Sequence, residues 1–389
     1  MRFPEFSEEW ERKKLGDIGT TLIGLTYSPL DVVPSDGTIV LRSSNIKGGL
    51  LDYTDLVRVN KKIKESIITR ANDILICARN GSARLIGKNA ILKDSDCGHT
   101  FGAFMMVYRS EDNPFVHQLL STKRYYSQVA ENLGARINQI TTSDLNSFEF
   151  SFPQSKKEKV KIAGMLSLLD ERIATQIKII EKLESFIRGI VETHYSQCEC
   201  INQVRISELG EPFSTMNMSK EDLSEEGNEC ILYGELFTTY GCVIKEVKSR
   251  THISTNKSTV SQSNDLLFPA STTVDAMSLI APSAICKEGV ILGGDLFGVH
   301  VNKKYNNEYL SYLINYIYKS KLARYAQGST IIHLHYSDIK NATLLLPTIE
   351  EQNYLAHIMR GVEEKINMEK DMLSKLYSQK AYLLSNLFI

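Results

Sequence analysis

The sequence contains no run of 18 or more apolar residues, which excludes a membrane-spanning helix of ordinary length. Its seven cysteines, Cys77, Cys97, Cys198, Cys200, Cys230, Cys242 and Cys286, are odd in number and scattered, which excludes a disulfide framework. Cys198-Glu-Cys200 near His194 lacks the CxxC pair and the second ligand pair of a zinc site, so no metal is expected. The opening MRFPEFSEEWERKK lacks the apolar stretch of a signal peptide, so the chain is expected in the cytoplasm. An excess of charge of either sign is also missing: the net charge is −1, which argues against a protein that simply coats nucleic acid.

Motifs of catalysis are missing as well. A phosphate-binding loop needs G-x4-G-K-[ST], so that backbone amides wrap the phosphates; the stretch from Gly81 to Lys88 is one residue too long and continues with Asn89. Asp112-Asn-Pro-Phe115 half resembles the Asn/Asp-Pro-Pro-aromatic string of amino methyltransferases. No glycine-rich cofactor loop precedes it, and a helix-start turn is the expectation. Glu246-Val-Lys248 imitates half of a nuclease motif but has no partner carboxylate to hold a metal, so a charged strand edge is expected. His333 and His335 alternate, which places both on one face of a strand and suits a polar or DNA-facing surface.

What the sequence does contain is a repeat. With 389 residues, two or three domains are expected, and a hydrophobic content of 42% is enough to build their cores. EKVKIAGMLSLLDERI, starting at Glu158, aligns without a gap on EQNYLAHIMRGVEEKI, starting at Glu351, at a shift of 193 residues. Each copy follows a proline, Pro153 or Pro347, and each carries alternating 4–3 apolar spacing. In the first, this spacing selects Ile162, Leu166, Leu169, Ile173, Gln176, Ile180, Leu183, Ile187, Ile190 and His194. In the second, it selects Leu355, Met359, Val362, Ile366, Glu369, Leu373, Leu376, Lys380, Leu383 and Leu387. Such spacing is the seam of a coiled coil, and roughly 40 residues make a helix about 60 Å long. Polar residues interrupt the seam at the same place in both copies, Gln176 and Glu369.

The segments before the helices repeat too. Ser143-Asp144-Leu145 then FEFSFP parallels Ser337-Asp338-Ile339 then TLLLP, and Asn72-Asp73-Ile74 parallels Asn264-Asp265-Leu266. ANDILICAR, AFMMVYRS, DLLFPAS and FGVHVN read as short strands; PFVHQLLSTKRYYSQVAENL and NEYLSYLINYIYKSKLARYA read as amphipathic helices. The expected class is α+β. Two similar mixed domains, residues 1–155 and 200–347, are each followed by a long helix, residues 156–199 and 348–389.

This duplicated layout resembles the specificity subunits of type I restriction–modification systems, over essentially the whole chain. Trp10-Glu-Arg-Lys-Lys-Leu15-Gly-Asp is similar to the family's opening; Leu41-Arg-Ser-Ser-Asn45-Ile46 and Ile231-Leu-Tyr-Gly234-Glu-Leu are similar to its early strand and loop. Gly293-Gly-Asp-Leu-Phe resembles a mid-domain string, and the segment from Pro153 to Ile173 its proline-then-helix motif. The usual Glu-Gln pair stands as Glu351-Gln352 in the second copy but as Glu158-Lys159 in the first. The resemblance implies two target-recognition domains on double-stranded DNA, one per half-site, held apart by long helices packed antiparallel. It also implies docking of methyltransferase subunits, two of them expected, and of a restriction subunit. The chain itself would hold no cofactor; S-adenosylmethionine, ATP and magnesium would belong to the partners.

Groove readout needs Arg, Asn, Gln, Ser or Thr on an exposed element, and phosphates need Lys, Arg or small donors. Between Arg42 and Lys93 stand eleven Lys/Arg against four Asp/Glu. The first domain accordingly offers Arg42, Ser44, Asn45, Lys47, Arg79, Asn80, Arg84, Lys88, Arg136, Asn138 and Gln139. The second offers Tyr233, Thr238, Thr239, Tyr240, Ser271, Thr272, Thr273, Gln327, Ser329, His333 and His335. Residues 200–347 carry thirteen Lys/Arg against fifteen Asp/Glu, so partners are expected to supply much of the phosphate neutralisation there. A scaffold whose repeated domains bind proteins, with the coiled coil as spacer, and a stand-alone methyltransferase remain open as alternatives.

Overall fold

The computed structural model describes residues 2–133, 138–197 and 202–388, with Lys257 described by its backbone alone. The chain divides into two compact units. One joins the residues up to Ile177 to those from Met372 onward, and the other is Lys178–Asp371. Each unit therefore contains one mixed α/β domain and the opposite halves of two long helices, Lys156–Gln197 and Ile349–Leu387.

In the first unit, Glu11–Lys14 pairs antiparallel with Glu149–Phe152, closing the domain between its first and last strands. Phe150 and Phe152 alternate inward along the closing strand, as a half-buried strand requires. An antiparallel sheet runs in the order Thr20–Ile23, Met105–Arg109, Ile74–Cys77, Asn89–Ile91. Its two central strands are apolar on both faces. One face packs on Ile39, Leu41 and Phe101 of a second four-stranded sheet; the other packs on the helices and on Phe115, Phe148 and Leu166. The helical run read from 114 to 133 is two helices, Asn113–Leu119 and Lys123–Leu133. Thr122 makes the break: its hydroxyl donates to the Leu119 carbonyl (2.6 Å) and accepts from the Tyr125 amide (3.4 Å), capping the second helix. Asp112 stands as the N-cap residue of the first, the helix-start turn expected there.

The second unit repeats the plan. Asn202–Arg205 pairs with Thr343–Leu346, the counterpart of the first unit's closing pair. A five-stranded sheet has the order Gly210–Ser214, Leu296–Val301, Asp265–Pro269, Ser283–Ile285, Val243–Ile244. The helical run after it is Asn307–Leu313, one wide π turn over Ile314–Tyr318, then Lys319–Ala323. Glu246 and Lys248 form an ion pair in the link between two strands. The expected strand edge is thus a bent link between strands, where both charges stay exposed to solvent.

Every seam position read from the heptads is buried or half-buried, including Gln176, which is 7% exposed. Within the first unit Leu169 and Ile173 pack on Leu376, with Leu373 and Leu383 at the margin, while Leu166 and Ile162 share a core with Leu387. Rising numbers on one helix thus meet falling numbers on the other, so the helices run antiparallel. Lys380, at a seam position, is ion-paired with Asp170. In the second unit Lys370 pairs with Glu184 at 2.9 Å, and Glu369 is held by Lys365 four residues earlier.

The departure at Glu158-Lys159 has a physical counterpart. In the second copy Gln352 accepts from the Asn306 amide (3.0 Å) and donates to the Pro347 carbonyl (2.9 Å). In the first, Lys159 reaches Asp112 at 2.5 Å, at the same helix start. An ion pair has replaced a hydrogen bond, and each ties a long helix to the N-cap of its own domain's helical run. The fully buried Glu158 takes a two-pronged contact from Arg2 (2.8 Å each) and one from the Trp10 indole (3.3 Å).

Leu376→Ala removes seam volume between Leu169 and Ile173, and should cost about 2–5 kcal/mol. Tyr377→Ala, half exposed next door, should stay within about 0.5 kcal/mol. Urea unfolding followed by circular dichroism compares them; equal costs would place the seam elsewhere. His117 is buried beside Asp170 and Lys380, and burial holds its pKa down to about 4. Unfolded, it binds a proton near pH 6.5 that the folded chain refuses. Its contribution is therefore complete above about pH 6.5 and lost as pH falls toward 4, at up to about 1.4 kcal/mol per pH unit. His117→Gln should flatten that slope in urea midpoints taken at pH 7, 6 and 5. An unchanged slope would contradict the assignment.

Candidate nucleic-acid interface

The first domain brings its three candidate segments to one place. The strand Ile74–Cys77 is followed by Ala78, whose amide and that of Arg79 both donate to the Phe104 carbonyl (2.9 and 3.0 Å). Arg79 also bridges Gln139, and the Ile140 amide donates to the Ala78 carbonyl at 2.9 Å. Asn80 is pinned twice, by its side chain to the Ser43 hydroxyl (3.0 Å) and by its amide to the Asn138 carbonyl (3.3 Å). Lys88 Nζ donates to the Ser43 carbonyl at 3.2 Å. Asn138 adopts φ +46°, a left-handed turn that asparagine tolerates, and its side chain donates to the Gly81 carbonyl at 2.9 Å.

Within this cluster the candidates separate by exposure. Ser44, Lys47, Arg79 and Arg84 face solvent. Asn45 does not: it is fully buried, accepts from the Arg42 amide (2.9 Å) and donates to the carbonyls of Asp52 (3.0 Å) and Asp55 (2.8 Å). Its side chain is consumed in holding the loop that carries Ser44 and Lys47. Arg42 is ion-paired with Asp55 at 2.8 Å and Lys47 with Asp52, which pulls the Asp52 carboxyl down to about 2 through hydrogen bonds from Lys47 and Thr54. Arg136 lies outside the described residues, as do Cys198 and Cys200.

The second domain repeats the frame. The Ala270 amide donates to the Asp295 carbonyl (2.8 Å) and the Leu334 amide to the Ala270 carbonyl (2.9 Å). Ser271–Thr272 pairs with Ile332–His333 where the first domain has Arg79 against Gln139. The rings of His333 and His335 stack with centroids 6.2 Å apart, so the alternation does put both on one side, although His335 already precedes the helix Tyr336–Ile339. Gln327 exchanges backbone hydrogen bonds with His333, and Ser329 is exposed on the turn between them.

Tyr233, Thr238, Tyr240, Ser271, Thr272 and Thr273 line an open groove of about 1550 Å³ in the second unit. Thr239 adjoins it, exposed, with its hydroxyl 3.3 Å from that of Thr238. Burial pushes the Tyr240 hydroxyl up to about 12, and it accepts from the Lys248 amide at 3.0 Å, so it holds a loop as a neutral phenol. Lys319 and Arg188 also line the groove.

Two side chains at these corners escaped the sequence reading. Phe104 is 58% exposed, with the Arg79 guanidinium 5.1 Å above its ring. Asp295, at the matching place in the second domain, lies 4.0 Å from His333. The available signals were the glycine just upstream of each, Gly102 or Gly294, and, for Asp295, its place in the string Gly293-Gly-Asp-Leu-Phe. Gly294 has φ +82°, which only glycine adopts without strain, and delivers Asp295 to the surface. Among the described residues no group of three or more His, Cys, Asp or Glu is placed to hold a metal ion, and no helix is long and apolar enough to cross a membrane.

A family model described as the type I restriction modification DNA specificity domain matches residues 7–185 and again 201–377. The StySPI specificity subunit of Salmonella potsdam and the EcoKI specificity subunit of Escherichia coli are each 27% identical over 203 residues. Those matches span 49% of this chain but only 43% of either relative. A sequence described as the MjaX specificity subunit of Methanocaldococcus jannaschii is 25% identical over 406 residues, 95% of this chain and 91% of the relative. The crystal structure of a type I restriction–modification S subunit from M. genitalium superposes with a TM-score of 0.64 at 16% identity, covering 100% and 99% of the two chains. A structure concerned with complex assembly and conformational transition of a type I system gives 0.50 at 13% identity, with 98% of both chains covered. At such identities the likeness is one of fold: two mixed α/β domains separated by long helices. With the domain matched twice and the fold shared end to end, the chain belongs to the type I restriction–modification DNA specificity family.

Proposed function

We propose that this chain reads a two-part DNA sequence, one half-site per domain, for a type I restriction–modification complex, and performs no chemistry itself. What supports this most is the corner built twice: three loops far apart in sequence, tied by backbone hydrogen bonds, with polar side chains such as Arg79 and Asp295 exposed on it. A rigid backbone with variable exposed side chains suits base readout, because base edges are distinguished by donor and acceptor placement. Lys47 and Arg84 in the first domain suit phosphate contacts, which fix register without carrying sequence. The two long helices offer exposed flanks for methyltransferase subunits, two of them for two domains, and a restriction subunit completes the assembly. S-adenosylmethionine, ATP and magnesium then act on the partners. A role on genomic and invading DNA would place the complex in the cytoplasm.

Two experiments test the proposal. The pure chain, incubated with DNA, S-adenosylmethionine, ATP and magnesium, should neither methylate nor cleave; turnover that copurifies with it through several columns would overturn the non-catalytic role. In cells carrying the partner subunits, exchanging residues 1–155 for the corresponding domain of a relative should change one half of the methylated sequence and leave the other. Methylome sequencing reads the outcome. A change in both halves would show that the domains do not read independently.

A further inference from the structure

We infer that the accessible side chains at the duplicated corner, Arg79, Phe104 and Gln139 in the first domain and Asp295 and His333 in the second, set which bases each half-site requires. The inference rests on the DNA-reading role proposed above and adds the residues and the base classes.

The positions correspond through the backbone. Ala78 and Ala270 each donate to the carbonyl of the residue at the turn, Phe104 or Asp295 (2.9 and 2.8 Å). Each also accepts from the residue after Gln139 or His333, namely Ile140 or Leu334 (2.9 Å each). The residue following each alanine, Arg79 or Ser271, pairs with Gln139 or His333. The frame is the same, but its accessible side chains differ: a cation over an aromatic ring in one copy, a carboxylate beside an imidazole in the other, where Ser271 is buried.

In the first domain the corner holds an always-charged fork of donors, an amide and an exposed ring. Arg79 lies over Phe104 at 5.1 Å, which stiffens the guanidinium and limits the entropy lost on binding. A positioned arginine matches the O6 and N7 acceptors of guanine, and Gln139 beside it matches the N6 and N7 edge of adenine. In the second domain the cation is gone and a carboxylate takes the place of the ring. Asp295 and His333 are each 45% exposed, so Asp295 is open to a ligand. A carboxylate repels phosphates, and on a base edge it gains only from an amino group, of which cytosine N4 is the usual one. The first half-site should therefore require a guanine read by Arg79, and the second an amino-bearing base, cytosine first, read by Asp295.

The test uses the assembled methyltransferase with the full chain, and reads the methylated sequence in cells together with binding to a randomised DNA library. Wild-type, Arg79→Ala, Asp295→Asn and Lys47→Ala are compared after thermal melts show that each is folded. Arg79→Ala should lose selection at one guanine of the first half-site, by about ten- to a hundredfold, and leave the second half-site intact. Asp295→Asn should relax or change one position of the second half-site only. Lys47→Ala should weaken all sequences alike and lower the salt dependence. A wild-type chain that selects no two-part sequence would sink the DNA-reading role itself. A wild-type chain with a clear two-part sequence that neither Arg79→Ala nor Asp295→Asn alters would overturn the corner as the specificity determinant, with the DNA-reading role intact.

Discussion

Both units depend on one strand pair. Glu11–Lys14 against Glu149–Phe152, and Asn202–Arg205 against Thr343–Leu346, bring the two ends of each domain together where a long helix begins. The proline after the closing strand cannot extend the ladder, so the chain leaves the sheet there and starts the helix two or three residues later. The helix is then tied back to its own domain, by Lys159 on Asp112 in one copy and by Gln352 on the Asn306 amide in the other. Closure, exit and tie fix where each domain's hydrogen-bonded corner stands relative to the start of its own helix.

Duplication shows which features the fold needs and which it leaves free. Strand order around the closing pair, the helix-start tie and the backbone bonds at the corner occur in both copies. The atoms that make the tie do not: an ammonium on a carboxylate in one, an amide side chain on a backbone N–H in the other. At the corner the exchange goes further, from arginine and an aromatic ring to serine and a carboxylate. Geometry that lies in the backbone tolerates such replacement, since the corner is held by main-chain hydrogen bonds that any side chain leaves in place.

The long helices, their seams and the repeat were legible because periodicity records burial directly: Leu166, Ile173, Met359 and Ile366 are where the 4–3 spacing puts them. The helical run after residue 113 was legible as apolar pattern but not as two helices, because the break at Thr122 is a local capping event that hydrophobic spacing does not record. At the corners the pattern failed differently. Asn45 has the composition of a reader and is a buried brace; Phe104 has the composition of a core residue and is exposed. Loops have no period, so composition there cannot separate a side chain that braces from one that reaches out. Only the tertiary hydrogen bonds to Asp52 and Asp55, and the meeting of Arg79 with Phe104, decide it.

The first unit is discontinuous in sequence: its helical floor is completed by residues from Met372 onward, after all 194 residues of Lys178–Asp371. A ribosome adding roughly 5–20 residues per second takes about 10–40 s to cross that interval. Throughout it the nascent first domain carries Ile162, Leu166 and Leu169 without Leu376, Leu387 and Phe388 to cover them. The first unit is thus finished only after the second has been made, and for those seconds its apolar stripe is open to chaperones or to another nascent chain.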